Sequence, residues 1–293
     1  MIRARRATAV LVVMVCVAAL GGCSWFGVRI DVTGVDARWV DVPGPGDRRA
    51  LVVTASDGPD RDSAEAAARP LVVVIHGLGQ DAVEMATFGG WSEAARDHGL
   101  VVAYAEGVDH SFNAGRCCGV AAATQVDDVG YLDRLVPAVA ASVGADATNV
   151  EMLGFSNGGM MVYRYLCEGS VRLRGAASLA GTNVAGCTPE RPTPFLQVTG
   201  SADSVVPPGD APSIRDDLGP LPPASLAVAD VADAYACERE KQTRLGPVTS
   251  TVWEPCADGV SVRYDLIDGL VHNYPIWEGY DGTSVMLMLW GLG

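Results

Sequence analysis

Leu71-Val72-Val73-Val74-Ile75 has no polar position, so a strand built from it must be covered on both faces. The run ends at His76-Gly77. Further strands are expected at residues 100–103, 150–155, 175–179, 194–198 and 260–267. Between them, 83–98 has helical character, with Met85, Phe88, Trp91 and Ala95 recurring at three- and four-residue steps. Helices are also expected at 125–143, 157–167, 225–239 and 284–289. Buried strands alternating with helices imply an α/β fold, a mostly parallel central sheet flanked by helices. Ahead of it, 28–32 and 39–42 read as a starting hairpin, 50–54 as the next strand and 58–69 as a polar surface loop. The Pro/Gly-dense stretch 207–223 is too short to separate two domains and reads as a loop near a site. A single domain over 28–293 is therefore expected, in keeping with a chain of 293 residues that is 49% hydrophobic.

The first residues stand apart from this pattern. Met1-Ile2-Arg3-Ala4-Arg5-Arg6 is basic, residues 9–20 are apolar, and Leu20-Gly21-Gly22-Cys23 follows. An apolar run this short behind positive charge reads as a secretory signal over 1–22, since a membrane core is about 30 Å thick. The Leu-Gly-Gly-Cys ending resembles the bacterial lipobox, whose cysteine is acylated and becomes the new N-terminus. That resemblance implies a lipid anchor to the membrane through Cys23, a tether over 23–27 and an outward-facing domain. An ordinary cleaved signal, leaving the domain extracellular, is the alternative.

Without Arg3, Arg5 and Arg6, the 21 basic residues fall to 18 against 35 acidic ones, a net charge of about −17. Such a surface repels phosphates, so no nucleic-acid partner is expected. Cys117, Cys118, Cys167, Cys187, Cys237 and Cys256 remain once Cys16 and Cys23 are set aside, and an even number in an exported chain favours disulfides. Cys237 with Cys256, flanking a Pro/Gly/Thr-rich loop, and Cys167 with Cys187 are the local candidates. Metal binding is the alternative for Cys117-Cys118, although no C-x-x-C pattern or histidine cluster accompanies it.

Gly154-Phe155-Ser156-Asn157-Gly158-Gly159 matches G-x-S-x-G, with an apolar strand before it and the helical Met160-Met161-Val162-Tyr163 after it. In that motif the serine sits on a tight strand-to-helix turn, and the glycines avoid collisions with the neighbouring strand and helix. A serine hydroxyl needs a histidine base oriented by a carboxylate. His272, after the last strand, and Asp203, after the strand over 194–198, satisfy the chain order Ser, acid, His. His98 reads as a solvated or capping residue, and His110 has little to recommend it as a base. Acyl transfer also needs donors for the developing oxyanion. The backbone N–H of Asn157 and that of Leu78, in the His76-Gly77-Leu78-Gly79 loop, are the candidates.

From about Leu71 to the C-terminus the chain resembles the exported polyhydroxybutyrate depolymerase and feruloyl or acetylxylan esterase family, which has the α/β-hydrolase fold. The runs that carry the resemblance are His76-Gly77, Asn113-Ala114-Gly115-Arg116-Cys117-Cys118-Gly119, Val126-Asp127-Asp128-Val129-Gly130, Gly154 to Met160, Gly200-Ser201-Ala202-Asp203 with Val206-Pro207, and His272 before Pro275. The resemblance implies hydrolysis of a small-molecule or oligomeric carboxylic ester, of the feruloyl, acetyl-sugar or hydroxyalkanoate-oligomer type, without metal or organic cofactor and with Ser156, Asp203 and His272 as triad. It also implies that Asp127 or Asp128 caps or ties the loop to the helix. Tyr274 stands where the family often has tryptophan, which leaves the shape of the acyl pocket open. The rival readings are an exported serine peptidase of the same fold and a lipoprotein that binds a glycan or lipid without turnover.

Overall fold

The computed structural model describes residues 33–60 and 62–293. The expected signal, Cys23, the tether and the strand over 28–32 lie outside them.

Ten strands form one sheet. In chain order they are β1 (Val35–Val42), β2 (Arg48–Ala55), β3 (Leu71–Ile75), β4 (Val101–Ala105), β5 (Val150–Phe155), β6 (Gly175–Leu179), β7 (Phe195–Gly200), β8 (Glu240–Leu245), β9 (Val248–Trp253) and β10 (Val262–Ile267). Their spatial order is β1-β2-β4-β3-β5-β6-β7-β10-β9-β8. Neighbours from β4 to β10 pair in parallel, while β1, β2, β8 and β9 join antiparallel at the two edges. A short antiparallel pair, β11 (Ile276–Trp277) and β12 (Tyr280–Asp281), lies apart. The helices are α1 (Ala82–Met85), α2 (Trp91–His98), α3 (Gly119–Ala123), α4 (Asp128–Val143), α5 (Asn157–Glu168), α6 (Ala224–Ala234) and α7 (Gly282–Trp290).

All five β3 residues are fully buried, and their side chains divide between two hydrophobic clusters, one on each face. Leu71, Val73 and Ile75 join α4 and α5 on one side. Val72 and Val74 join Trp91, Met85 and α7 on the other. Removing an aliphatic side chain of this size from water stabilises by roughly 1.5–3 kcal/mol, which makes the central strands the backbone of the fold.

Several expectations are corrected at the edges. Residues 39–42 pair with 48–51 within the β1–β2 hairpin, because the turn Pro43–Asp47 brings the chain straight back. The helix expected over 83–98 is two helices, since Gly89 and Gly90 both take positive φ and break the ladder between them. Residues 240–253, expected as loop, form the β8–β9 hairpin. Every β8 residue is exposed, so Glu240-Lys241-Gln242-Thr243-Arg244-Leu245 carries no alternation to betray a strand. The helix expected over 225–239 stops at Ala234.

Three disulfides join Cys117 to Cys118, Cys167 to Cys187 and Cys237 to Cys256. The two local candidates are thus found. The sulfurs of Cys117 and Cys118 are bonded to each other, which removes the thiolates a metal would need. Asp127 and Asp128 both work as architecture. Asp127 caps α4 by accepting from the N–H of Gly130 (2.9 Å), while Asp128 accepts from Arg48 (2.9 Å) and from the N–H of Asn113 (2.7 Å).

Candidate active site

The end of β5 turns sharply into α5, and Ser156 sits on that turn at φ 53°, a left-handed conformation unusual for a residue with a side chain. Its N–H donates to the carbonyl of Leu179 (2.7 Å). The motif's glycines are required by close approach. A Cβ on Gly154 would meet the backbone of Gly158, and one on Gly158 would meet the carbonyl oxygen of Ile75 at the end of β3. The turn can thus fit only with glycine at both places, and it lifts Ser156 above the sheet.

Two loops bring the partners. Asp203 follows β7 and is buried. Its Oδ1 accepts from the N–H groups of Val205 (2.9 Å) and Val206 (2.8 Å), and its Oδ2 lies 2.8 Å from His272 Nδ1. His272 follows β10, and its Nε2 lies 2.9 Å from Ser156 Oγ. The two loops are docked on each other, because the N–H of Ala202 donates to the carbonyl of Leu270 (3.0 Å) and that of Gly269 to Ser201 Oγ (2.9 Å). The carboxylate accepts a hydrogen bond from the Nδ1–H of His272, which leaves Nε2 to accept from the serine hydroxyl. Phe155 packs beside the imidazole, ring centroids 5.3 Å apart.

Beside the serine, the N–H groups of Leu78 and Asn157 donate to no protein group among the described residues. Both are held firmly. The Asn157 carboxamide accepts from the N–H of Phe112 (2.8 Å) and donates to its carbonyl (3.0 Å). His76 Nδ1 donates to the carbonyl of Gly77 (2.8 Å), and its Nε2 accepts from the N–H of Gly107 (3.0 Å). Burial lowers the His76 pKa to about 4, so the ring is neutral, as those two bonds require. The Gly77 carbonyl shares a rigid peptide plane with the Leu78 N–H, so holding one aims the other the opposite way. His110 completes the clasp: its carbonyl accepts from the N–H of Gly79 (2.8 Å) and its Nδ1 donates to the carbonyl of Gln80 (3.0 Å).

The structure therefore brings together Ser156, Asp203, His272, Asn157 and Leu78. Tyr274, the departure near His272, is tied into the core behind it, its ring 6.4 Å from that of Phe155. It is buried, with its hydroxyl accepting from Trp91 Nε1 (2.9 Å) and bonded to Thr283 Oγ1 (2.9 Å). Sequence reasoning missed His110, Gln80 and Phe112 as supports. Only its position before the Asn113 run could have pointed to His110, because its two bonds are to a loop 30 residues away.

No family model matches the chain. It is 31% identical over 229 residues to "Putative esterase NocK" of Nocardia uniformis subsp. tsuyamanensis, covering 71% of this chain and 66% of that protein. It is 26% identical over 217 residues to feruloyl esterase B of Piromyces equi, covering 70% and 40%, and 23% identical over 212 residues to the bifunctional acetylxylan esterase/xylanase XynS20E of Neocallimastix patriciarum, covering 70% and 29%. The chain thus spans just under two thirds of the first relative and less than half of the other two. Among solved structures, acetyl xylan esterase from Aspergillus awamori superposes with a TM-score of 0.61 at 15% identity, covering 88% of this chain and 99% of that one. MGS-M1, an α/β hydrolase from a deep-sea metagenome library, gives 0.53 at 12% identity, covering 82% and 84%. The fold is that of the α/β-hydrolases.

Proposed function

We propose that this chain is an exported serine esterase that hydrolyses carboxylic esters through an acyl-serine intermediate. The observation that carries the proposal is the unbroken line Asp203–His272–Ser156, bonded at 2.8 and 2.9 Å, beside two N–H donors with no partner among the described residues. His272 takes the hydroxyl proton as Ser156 Oγ attacks the ester carbonyl, and Asp203 holds the imidazole in the right tautomer and stabilises its charged form. The N–H groups of Leu78 and Asn157 receive the oxyanion, an interaction worth about 2.7–4 kcal/mol per donor. His272 then returns the proton to the departing alcohol, and water repeats the sequence to release the acid. The names of the relatives support esters of the acetyl-sugar and feruloyl type as substrates; hydroxyalkanoate oligomers rest on the motif resemblance. Three disulfides support an oxidising compartment, and the proposed address is the outer face of a membrane, held by a lipid on Cys23.

The test is Ser156→Ala against p-nitrophenyl acetate, with fluorophosphonate labelling of the wild type. A fall of roughly 10⁴-fold or more in turnover and loss of the label are expected. Turnover at the wild-type rate in the folded variant would rule out the serine. A wild-type protein that neither labels nor turns over esters would favour a binding lipoprotein.

A further inference from the structure

Next to the oxyanion loop lies a groove of about 320 Å³, bordered by Leu78, Arg116, the Cys117–Cys118 pair, Ala122 and Leu218. We propose that this groove is a subsite for the acidic end of a carboxylate-bearing ester, and that Arg116 binds that carboxylate. The proposal rests on the esterase reading and names the substrate class the same site prefers.

The first observation is how firmly the loop is held. The N–H of Asn113 donates to buried Asp128 (2.7 Å), its Nδ2 to the carbonyl of Val126 (3.0 Å), and its carbonyl accepts from Arg164 (2.7 Å). The N–H of Arg116 donates to the carbonyl of Val184 (3.2 Å), and that of Cys118 to the carbonyl of Phe112 (3.2 Å). Phe112 is the residue that clamps Asn157, so Arg116 rides on a rigid segment continuous with the oxyanion site.

The second observation is what that rigid segment displays. The Arg116 side chain is exposed and has no hydrogen-bond, ion-pair or ring partner among the described residues. Arg48, Arg164, Arg172, Arg215, Arg244 and Arg263 each sit on a carboxylate. Asp217, which also borders the groove, is occupied by Arg215, which donates to both its oxygens (2.7 and 2.6 Å) and holds its carboxyl below the usual range. The uncompensated charge of the groove is therefore Arg116.

The third observation is shape. Small residues and the disulfide leave a slot with room for about ten non-hydrogen atoms at roughly 30 Å³ each. Leu78, whose N–H is the oxyanion donor, and Arg116, whose planar guanidinium fork matches a carboxylate, both border it. An acidic protein repels anions at long range. A local cation carried on a firmly held loop is what lets it take an anionic ester, whereas a neutral ester has no use for one.

The test uses the whole secreted domain and two matched ester pairs. p-Nitrophenyl hemiadipate against p-nitrophenyl hexanoate places the carboxylate on the acyl side. 3-Carboxy-4-nitrophenyl butyrate against p-nitrophenyl butyrate places it on the alcohol side. The wild type is expected to favour the acidic member of one pair by about tenfold in kcat/KM, mainly through KM, and less so as salt is raised. Arg116→Gln should bring that ratio to about one, and Arg116→Lys should keep part of it. Because the ratio is taken within each variant, a general loss of activity cancels. No preference in either pair, or a preference that survives Arg116→Gln, would overturn the subsite while leaving the esterase reading intact. If no ester is hydrolysed and Ser156 takes no fluorophosphonate, both fall together.

Discussion

Glu151 is the second residue of β5 and has almost no exposure, and its Oε2 meets no hydrogen-bond partner. Burial pushes its carboxyl up from 4.5 to about 7, against the pull of Arg174. Between those two values the folded protein holds a proton that the unfolded chain has released. Its contribution to stability is therefore complete below pH 4.5 and is lost as pH rises through 7. Glu151→Gln removes the titration. Relative to wild type it should gain up to about 3 kcal/mol between pH 4.5 and pH 8, since one pKa unit is about 1.4 kcal/mol. Urea midpoints at the two pH values read this directly, and parallel shifts would show that Glu151 does not titrate with folding. His76 has the opposite sense. It is a base kept neutral by burial, and it costs stability as pH falls from 6.5 towards 4. That neutrality follows from its task, because a protonated ring could not accept from Gly107.

At the scale of elements, α4 shows how adjacent carboxylates divide labour. Asp127 is exposed and caps the helix, so Asp127→Ala should cost about 1 kcal/mol. Asp128 is fully buried and joins β2 through Arg48 to the loop at Asn113. Asp128→Asn leaves the Arg48 charge buried without its counter-ion and should cost about 3–5 kcal/mol. Equal losses in the two variants, measured by chemical denaturation, would contradict this division. The pair was legible in the sequence as capping or tying residues, but not which did what. Burial separates the two roles, and neighbouring positions at a helix start differ in burial only once the helix has been laid on the sheet. The same element logic explains the glycine break: α1 has ended at Met85, Gly89-Gly90 turns the chain and Gly90 caps the start of α2, while the apolar spacing continues across the break.

Across the whole molecule, two disulfides close loops of similar length, Cys167–Cys187 with a separation of 20 and Cys237–Cys256 with 19. Cross-links of this span restrict the unfolded chain by about 3 kcal/mol each. Reduction under mild denaturant should lower the unfolding midpoint accordingly, and Cys237→Ala with Cys256→Ala should lose about half of that. An unchanged midpoint after reduction would mean that the bridges add nothing to the folded state. The central strands, the strand-to-helix turn at Ser156 and the two residues in line behind it could be read from the chain, because burial on both faces and close backbone approach leave their mark on which residues are allowed. The edge hairpin β8–β9, the clasp of His110 on Gln80 and the isolation of Arg116 could not. An exposed edge strand imposes no pattern, a hydrogen bond to a distant carbonyl imposes none either, and a cation is unpartnered only relative to everything folded around it. So Leu71 to Ile75 announced the sheet, while what a substrate meets beside Ser156 was decided by loops from four strands converging at one end of it.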